Sequence, residues 1–132
     1  MTPLVTYQFH QFTDSSGMQH VVKDSGIVQI EWRETDPVGN IVLANGSTIA
    51  VSMATMNQVI SELTIDVFRI DGVGVDGKRH HVLNKGRIDH IEWLSSDPEG
   101  VITLSNGNDI VLGMDQLIQV ITVLTETINL NP

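Results

Sequence analysis

The chain of 132 residues contains no cysteine. Disulfides, thiol catalysis and thiolate metal sites are therefore excluded, and the composition suits a reducing compartment, so the cytoplasm is the expected location. Basic residues are scarce, with seven Lys and Arg against 16 Asp and Glu, a formal charge of -9 and a pI near 4.7. Such a surface repels a phosphate backbone, which disfavours nucleic acid as a partner. Apolar runs are short: none approaches the roughly 20 residues that a membrane helix needs. The stretch Met1 to Phe12 has no basic segment leading into an apolar one, so neither membrane nor signal peptide is expected. Phosphate loops, nucleophile elbows and dinucleotide fingerprints are missing, and Gly72-Val73-Gly74 lacks the third glycine and following helix that would give it meaning. No cofactor is expected.

What the sequence does hold is a repeat. Ile30-Glu31-Trp32, Asp36-Pro37-Val38-Gly39, Asn45-Gly46 and Ser52-Met53 return as Ile91-Glu92-Trp93, Asp97-Pro98-Glu99-Gly100, Asn106-Gly107 and Gly113-Met114. Each pair is 61 positions apart, and between His20 and Leu63 about 19 of 44 aligned positions are identical without a gap. That agreement reads as a tandem duplication, residues 5–65 and 66–126, within one domain.

Period-two apolar spacing gives each copy five strands. Val5 to Phe12 and Gln19 to Lys23 flank the polar turn Asp14 to Gly17, and Ile65 to Val75 and Lys78 to Leu83 flank Asp76-Gly77. Tyr7 and Phe9 map onto Phe68 and Ile70. The third strand is Ile27 to Glu34, matched by Ile88 to Ser95, with Trp32 on the face of Ile30 and Glu31 on the other. Asp36-Pro37-x-Gly39 and its repeat have the side chains of a type I turn, glycine closing the fourth position. Across Asn45-Gly46 a three-residue loop keeps Ile41, Leu43, Ile49 and Val51 on one face. It predicts left-handed Gly46 and Gly107 in bulges. A helix follows from Met53 to Leu63, capped by Ser52, with the stripe Met53, Met56, Val59, Ile60 and Leu63. Met114, Leu117, Ile118, Ile121 and Leu124 form the second stripe, with Asp115 suiting the helix dipole, and Asn129 to Pro132 is expected to fray. The expected fold is α+β, a βββββα unit repeated twice as a pseudo-twofold single domain, since units of about 60 residues bury too little alone.

Three features bear on chemistry. Glu31 and Glu92, each beside a tryptophan, would form an acid–base pair or a cation site if they met at the axis; a cross-strand or solvent role is the plainer reading. Of five histidines only His20 and His81 coincide between copies, and the adjacent His80 and His81 point to opposite faces of a strand, so no metal site is expected. Lys78, Arg79, Lys85 and Arg87, with His80 and His81, fall in a ten-residue window free of acids. That window suits an acidic partner or a phosphate-bearing ligand.

No convergent catalytic set is legible. The reading is therefore a small acidic, non-enzymatic binding protein acting on a protein partner as inhibitor, adaptor or assembly subunit. A small-ligand binder is the alternative, its site at the axis near Trp32, Trp93, Glu31, Glu92, Arg79 and Arg87. An acid–base enzyme using Glu31 or Glu92 ranks third. Exposed strand edges are compatible with a homodimer.

Overall fold

The structure, a computed structural model, describes residues 8–129, with side chains to Thr125. It is α+β, with antiparallel sheets and two helices. In chain order the elements are β1 (Phe9–Thr13), β2 (Gln19–Lys23), β3 (Ile27–Arg33), β4 (Val38–Leu43), β5 (Thr48–Ser52) and α1 (Met53–Glu62). They continue as β6 (Val67–Val73), β7 (Arg79–Asn84), β8 (Ile88–Trp93), β9 (Glu99–Leu104), β10 (Asp109–Gly113) and α2 (Met114–Asn129). Short 3-10 turns at Asp24–Gly26 and Lys85–Arg87, which apolar periodicity does not reveal, join β2 to β3 and β7 to β8. No helix among the described residues is long and apolar enough to cross a membrane.

The strands divide unevenly. β1 and β2 form a two-stranded sheet, β10-β9-β8 a three-stranded one, and β5-β4-β3-β7-β6 a five-stranded one. The hairpin β6-β7 thus leaves the strands that follow it and adds to β3, with Ile30 opposite Val82, Glu31 opposite His81 and Trp32 opposite His80. A closed twofold would also pair β8 with β2. Among the described residues β8 pairs with β9 alone and β2 with β1 alone, so the expected twofold closure is not what the sheets form. Neither sequence periodicity nor turn chemistry encodes which half a hairpin will join.

Two cores result. Phe12, Ile30, Trp32, Ile41, Val51, Met56, Val59 and Val82 fill one under α1; Val28, Ile70, Leu83, Ile102, Leu112, Leu117 and Val120 fill the other under α2. In α1 the expected stripe holds, and the Ser52 hydroxyl accepts from the Thr55 N–H. In α2, Ile118 is exposed and Val120 takes the buried place, because the helix turns its Leu117–Val120–Ile121–Leu124 side to the sheet. Of the end expected to fray, Leu130 to Pro132 lie outside the described residues.

Three local expectations fare differently. Gly46 and Gly107 are left-handed, at φ +90° and +88°, the Leu43 N–H donates to the Ser47 carbonyl, and Ile41 faces Ile49. The Asp-Pro turns are shifted: Asp36 N–H donates to Arg33 O and Asp97 N–H to Leu94 O, so each Asp ends its turn. Gly39 and Gly100 lie within strands opposite Trp32 and Trp93, where a Cβ would overlap Met56 or Leu117. The glycines make room for a helix rather than close a turn. In the first hairpin, Phe9 pairs with Lys23 and Val67 with Asn84, so Phe12 and Ile70 occupy equivalent places. Phe9 does not match Ile70 and is exposed; Tyr7 lies outside the described residues. Alternating apolar residues fit either register, which is why spacing alone misplaces it.

Candidate functional site

The junction where β7 adds to β3 holds the densest polar chemistry. His81 is buried, donates from Nδ1 to Gln29 Oε1 at 3.1 Å, and has Glu31 Oε2 3.9 Å away. Burial, with help from Arg79 and His80, pushes its pKa down to about 4, so the ring is neutral near pH 7. Beside it opens a concavity of about 400 Å³ lined by Gln29, Glu31, Arg79, His81, Asn108 and Asp109, among others. On the other face His80 stacks on Trp32, ring centroids 5.2 Å apart, and the Arg69 guanidinium lies 5.1 Å from the Trp32 ring centroid. His80 also contacts Asp71 (2.7 Å) and Glu34 (3.1 Å). With Arg69, it holds the Asp71 carboxyl below the usual range.

The expected site residues therefore separate. Glu31, Arg79 and His81 meet at the concavity. Glu92 does not join them: it stands exposed on β8, 3.6 Å from His90, and lines a smaller groove of about 240 Å³ with Trp93, Leu94, Asp97 and Glu99. The two glutamates belong to different sheets and line different concavities. Among the described residues, no group of three or more His, Asp or Glu could hold a metal ion.

The basic window also splits. Lys85 pairs with Asp66 at 3.1 Å, and Arg87 donates from Nη2 to the Ser25 carbonyl at 2.9 Å. Lys78 and Arg79 stand at the opposite end of β7, roughly 20 Å off at about 3.3 Å per residue, and Lys78 is exposed. An extended strand keeps residues close in sequence from forming one patch.

Periodicity gave no sign of the buried polar cluster under α1. His10 donates from Nε2 to Asp24 Oδ1 at 2.6 Å, and Asp24 Oδ2 accepts from the Thr64 hydroxyl (2.6 Å) and N–H (3.2 Å). Burial raises the Asp24 pKa, but these hydrogen bonds outweigh it and leave the group below its ordinary value. The signal available was an isolated His in an apolar strand.

Large apolar side chains also stand exposed elsewhere, Val75 in the β6–β7 turn most of all, and Ile118, Val111 and Phe9 about half. Trp93 and Leu94 are 48% and 66% exposed at the end of β8 and just beyond it. Met18 and Val21 are 62% and 65% exposed, just before β2 and within it. Among the described residues β8 and β2 each keep one edge without a partner, as do β1, β5, β6 and β10. Comparison with protein-family models, with curated proteins and with solved structures finds no match for this chain.

Proposed function

We propose that the chain is a non-enzymatic protein-binding subunit, built by duplication of one unit within a single domain and working in the cytoplasm. The observation that carries the reading is the coincidence of open strand edges with exposed large apolar side chains on β8 and β2. An unpaired edge offers a row of N–H and C=O groups to another chain, and an apolar border makes such pairing favourable. The placement of Glu31 and Glu92 at different concavities adds support, because the two repeated glutamates share no one site.

A photoreactive benzophenone residue at Leu94 tests it. The expected result is a covalent product with a polypeptide, and none from the same group at Ser61 on the exposed side of α1. Equal yields at both positions, or a turnover abolished by Glu31→Gln, would overturn the reading.

The concavity beside Glu31, Arg79 and His81 favours a second reading, a small polar or phosphate-bearing ligand. Arg79→Ala would then abolish binding of inorganic phosphate; heat from phosphate addition that is the same in both proteins, or absent, removes it.

A further inference from the structure

We infer that the partner of the open edges is a second copy of this chain, its β2 added to β8 in the register that β7 takes on β3. The inference rests on the protein-binding reading above and names the partner.

The chain already contains this contact once. Subtracting or adding 61 converts β3 into β8 and β7 into β2, and at five positions around the junction the residues are identical: Ile30 and Ile91, Glu31 and Glu92, Trp32 and Trp93, His81 and His20, Val82 and Val21. Where the pairing exists these residues are covered, Trp32 being 9% exposed and Val82 3%. Where it is missing the same residues lie open, Trp93 at 48% and Val21 at 65%. Trp32 and Val82 have this strand pairing, and Trp93 and Val21 lack it among the described residues.

Translating the observed register gives the contact between copies. Gln29–Leu83, Ile30–Val82, Glu31–His81 and Trp32–His80 become His90–Val22, Ile91–Val21, Glu92–His20 and Trp93–Gln19. The acceptance by Lys78 O from Glu34 N–H predicts a bond from Ser95 N–H to Gly17 O of the neighbour. Glu92 would gain His20 as Glu31 has His81. Gln11, paired with Val21 as Arg69 is with Val82, would reach Trp93 in place of the Arg69 guanidinium.

One substitution makes the contact between copies more apolar than the internal one. The internal junction sets Arg33 opposite Arg79, and Asp76 sits against Arg33. The equivalent pair between copies is Leu94 with Met18, two exposed apolar residues that would cover each other. Both halves carry net negative charge, two basic residues against six acids and five against ten, so apolar and main-chain contacts must hold the copies together.

The contact joins two different surfaces, β8 of one copy and β2 of the next. Every copy therefore offers both, and association proceeds head to tail, closing a ring or continuing as a fibre according to the rotation per step.

Sedimentation and native mass spectrometry of the purified chain, with a cysteine pair, provide the test. The wild-type protein is expected at a multiple of 14.5 kDa, and Val21→Asp is expected to weaken association at least tenfold with unchanged circular dichroism. Because the chain has no cysteine, Val21→Cys mixed with Ile91→Cys should oxidise to a covalent dimer. Val21→Cys with Glu92→Cys, on opposite faces, should not. If Val21→Asp unfolds, the cysteine pair decides. A species of 14.5 kDa at about 100 µM would overturn the inference, since a specific self-association, even a transient one, should be populated at that concentration. So would a multimer that gives no link between 21 and 91. The benzophenone at Leu94 keeps the two claims apart: a different polypeptide captured there would sustain protein binding while self-association fails.

Discussion

His80 lies against Trp32 with its ring 18° from parallel, and through this contact the second hairpin seals the first core. Trp32 is 9% exposed, whereas Trp93, at the same place in the other half, is 48% exposed. Their replacement by alanine should therefore read differently. Trp32→Ala should cost about 3–5 kcal/mol in urea unfolding, the usual loss for a buried large aromatic. Trp93→Ala should cost under about 1 kcal/mol in the dissociated chain, while weakening self-association. Equal losses in dilute protein would contradict the assignment.

Acid should weaken the fold in two stages. His81 has a folded pKa near 4, below the ordinary value of 6.5. Between those values the unfolded chain binds the extra proton, so stability is complete above pH 6.5 and falls as the pH drops toward 4, by up to about 3 kcal/mol. His81→Gln should flatten that stage. Asp24 and Asp71, held below their ordinary values, contribute stability that is present above about pH 4 and is lost as they protonate. Denaturation midpoints measured from pH 8 to pH 3 would separate the stages; a curve unchanged by His81→Gln would contradict the first.

Asp24 ties β1 to the end of α1 through His10 and Thr64. Asp24→Ala should cost about 3 kcal/mol, because the buried His10 ring and the Thr64 hydroxyl and N–H lose their acceptor. Thr64→Val removes one donor and should cost about 1 kcal/mol. Additive losses in the double variant would argue against a shared cluster.

The repeated glycines act by two mechanisms. A Cβ at Gly46 meets no atom within 4 Å, yet its φ of +90° is unsuited to other residues, so Gly46→Ala should cost about 1–2 kcal/mol through backbone strain. At Gly100 the φ is ordinary, but a Cβ would press on buried Leu117 and lie 3.0 Å from both Glu92 O and Trp93 Cβ. Gly100→Ala should cost about 1–3 kcal/mol through overpacking. Leu117→Ala should offset part of the second loss and none of the first.

Much of the local structure was legible because it depends on neighbours in sequence. The Asn-Gly bulges, the Ser52 cap and the Met53–Val59 stripe follow from φ preferences and periodicity. Glu31 and Trp32 do point to opposite faces of β3. Pairing across the halves was not legible, since Val82 fits beside Ile30 or Ile91 equally well by sequence. That choice decided the site, bringing Glu31, Arg79 and His81 together while leaving Glu92 and Trp93 apart. The Asp36 turn was misplaced by three residues because Pro37 suits several positions near a strand start.

The central claim is that β8 keeps its edge for β2 of a second copy, and the fluorescence of Trp93 in a Trp32→Phe background tests it directly. With one tryptophan left, emission should shift to the blue and quenching by iodide should fall as the protein rises from nanomolar to about 100 µM, a span that covers transient edge contacts. Addition of Val21→Asp should return the exposed spectrum. Red, readily quenched emission at every concentration would contradict the claim.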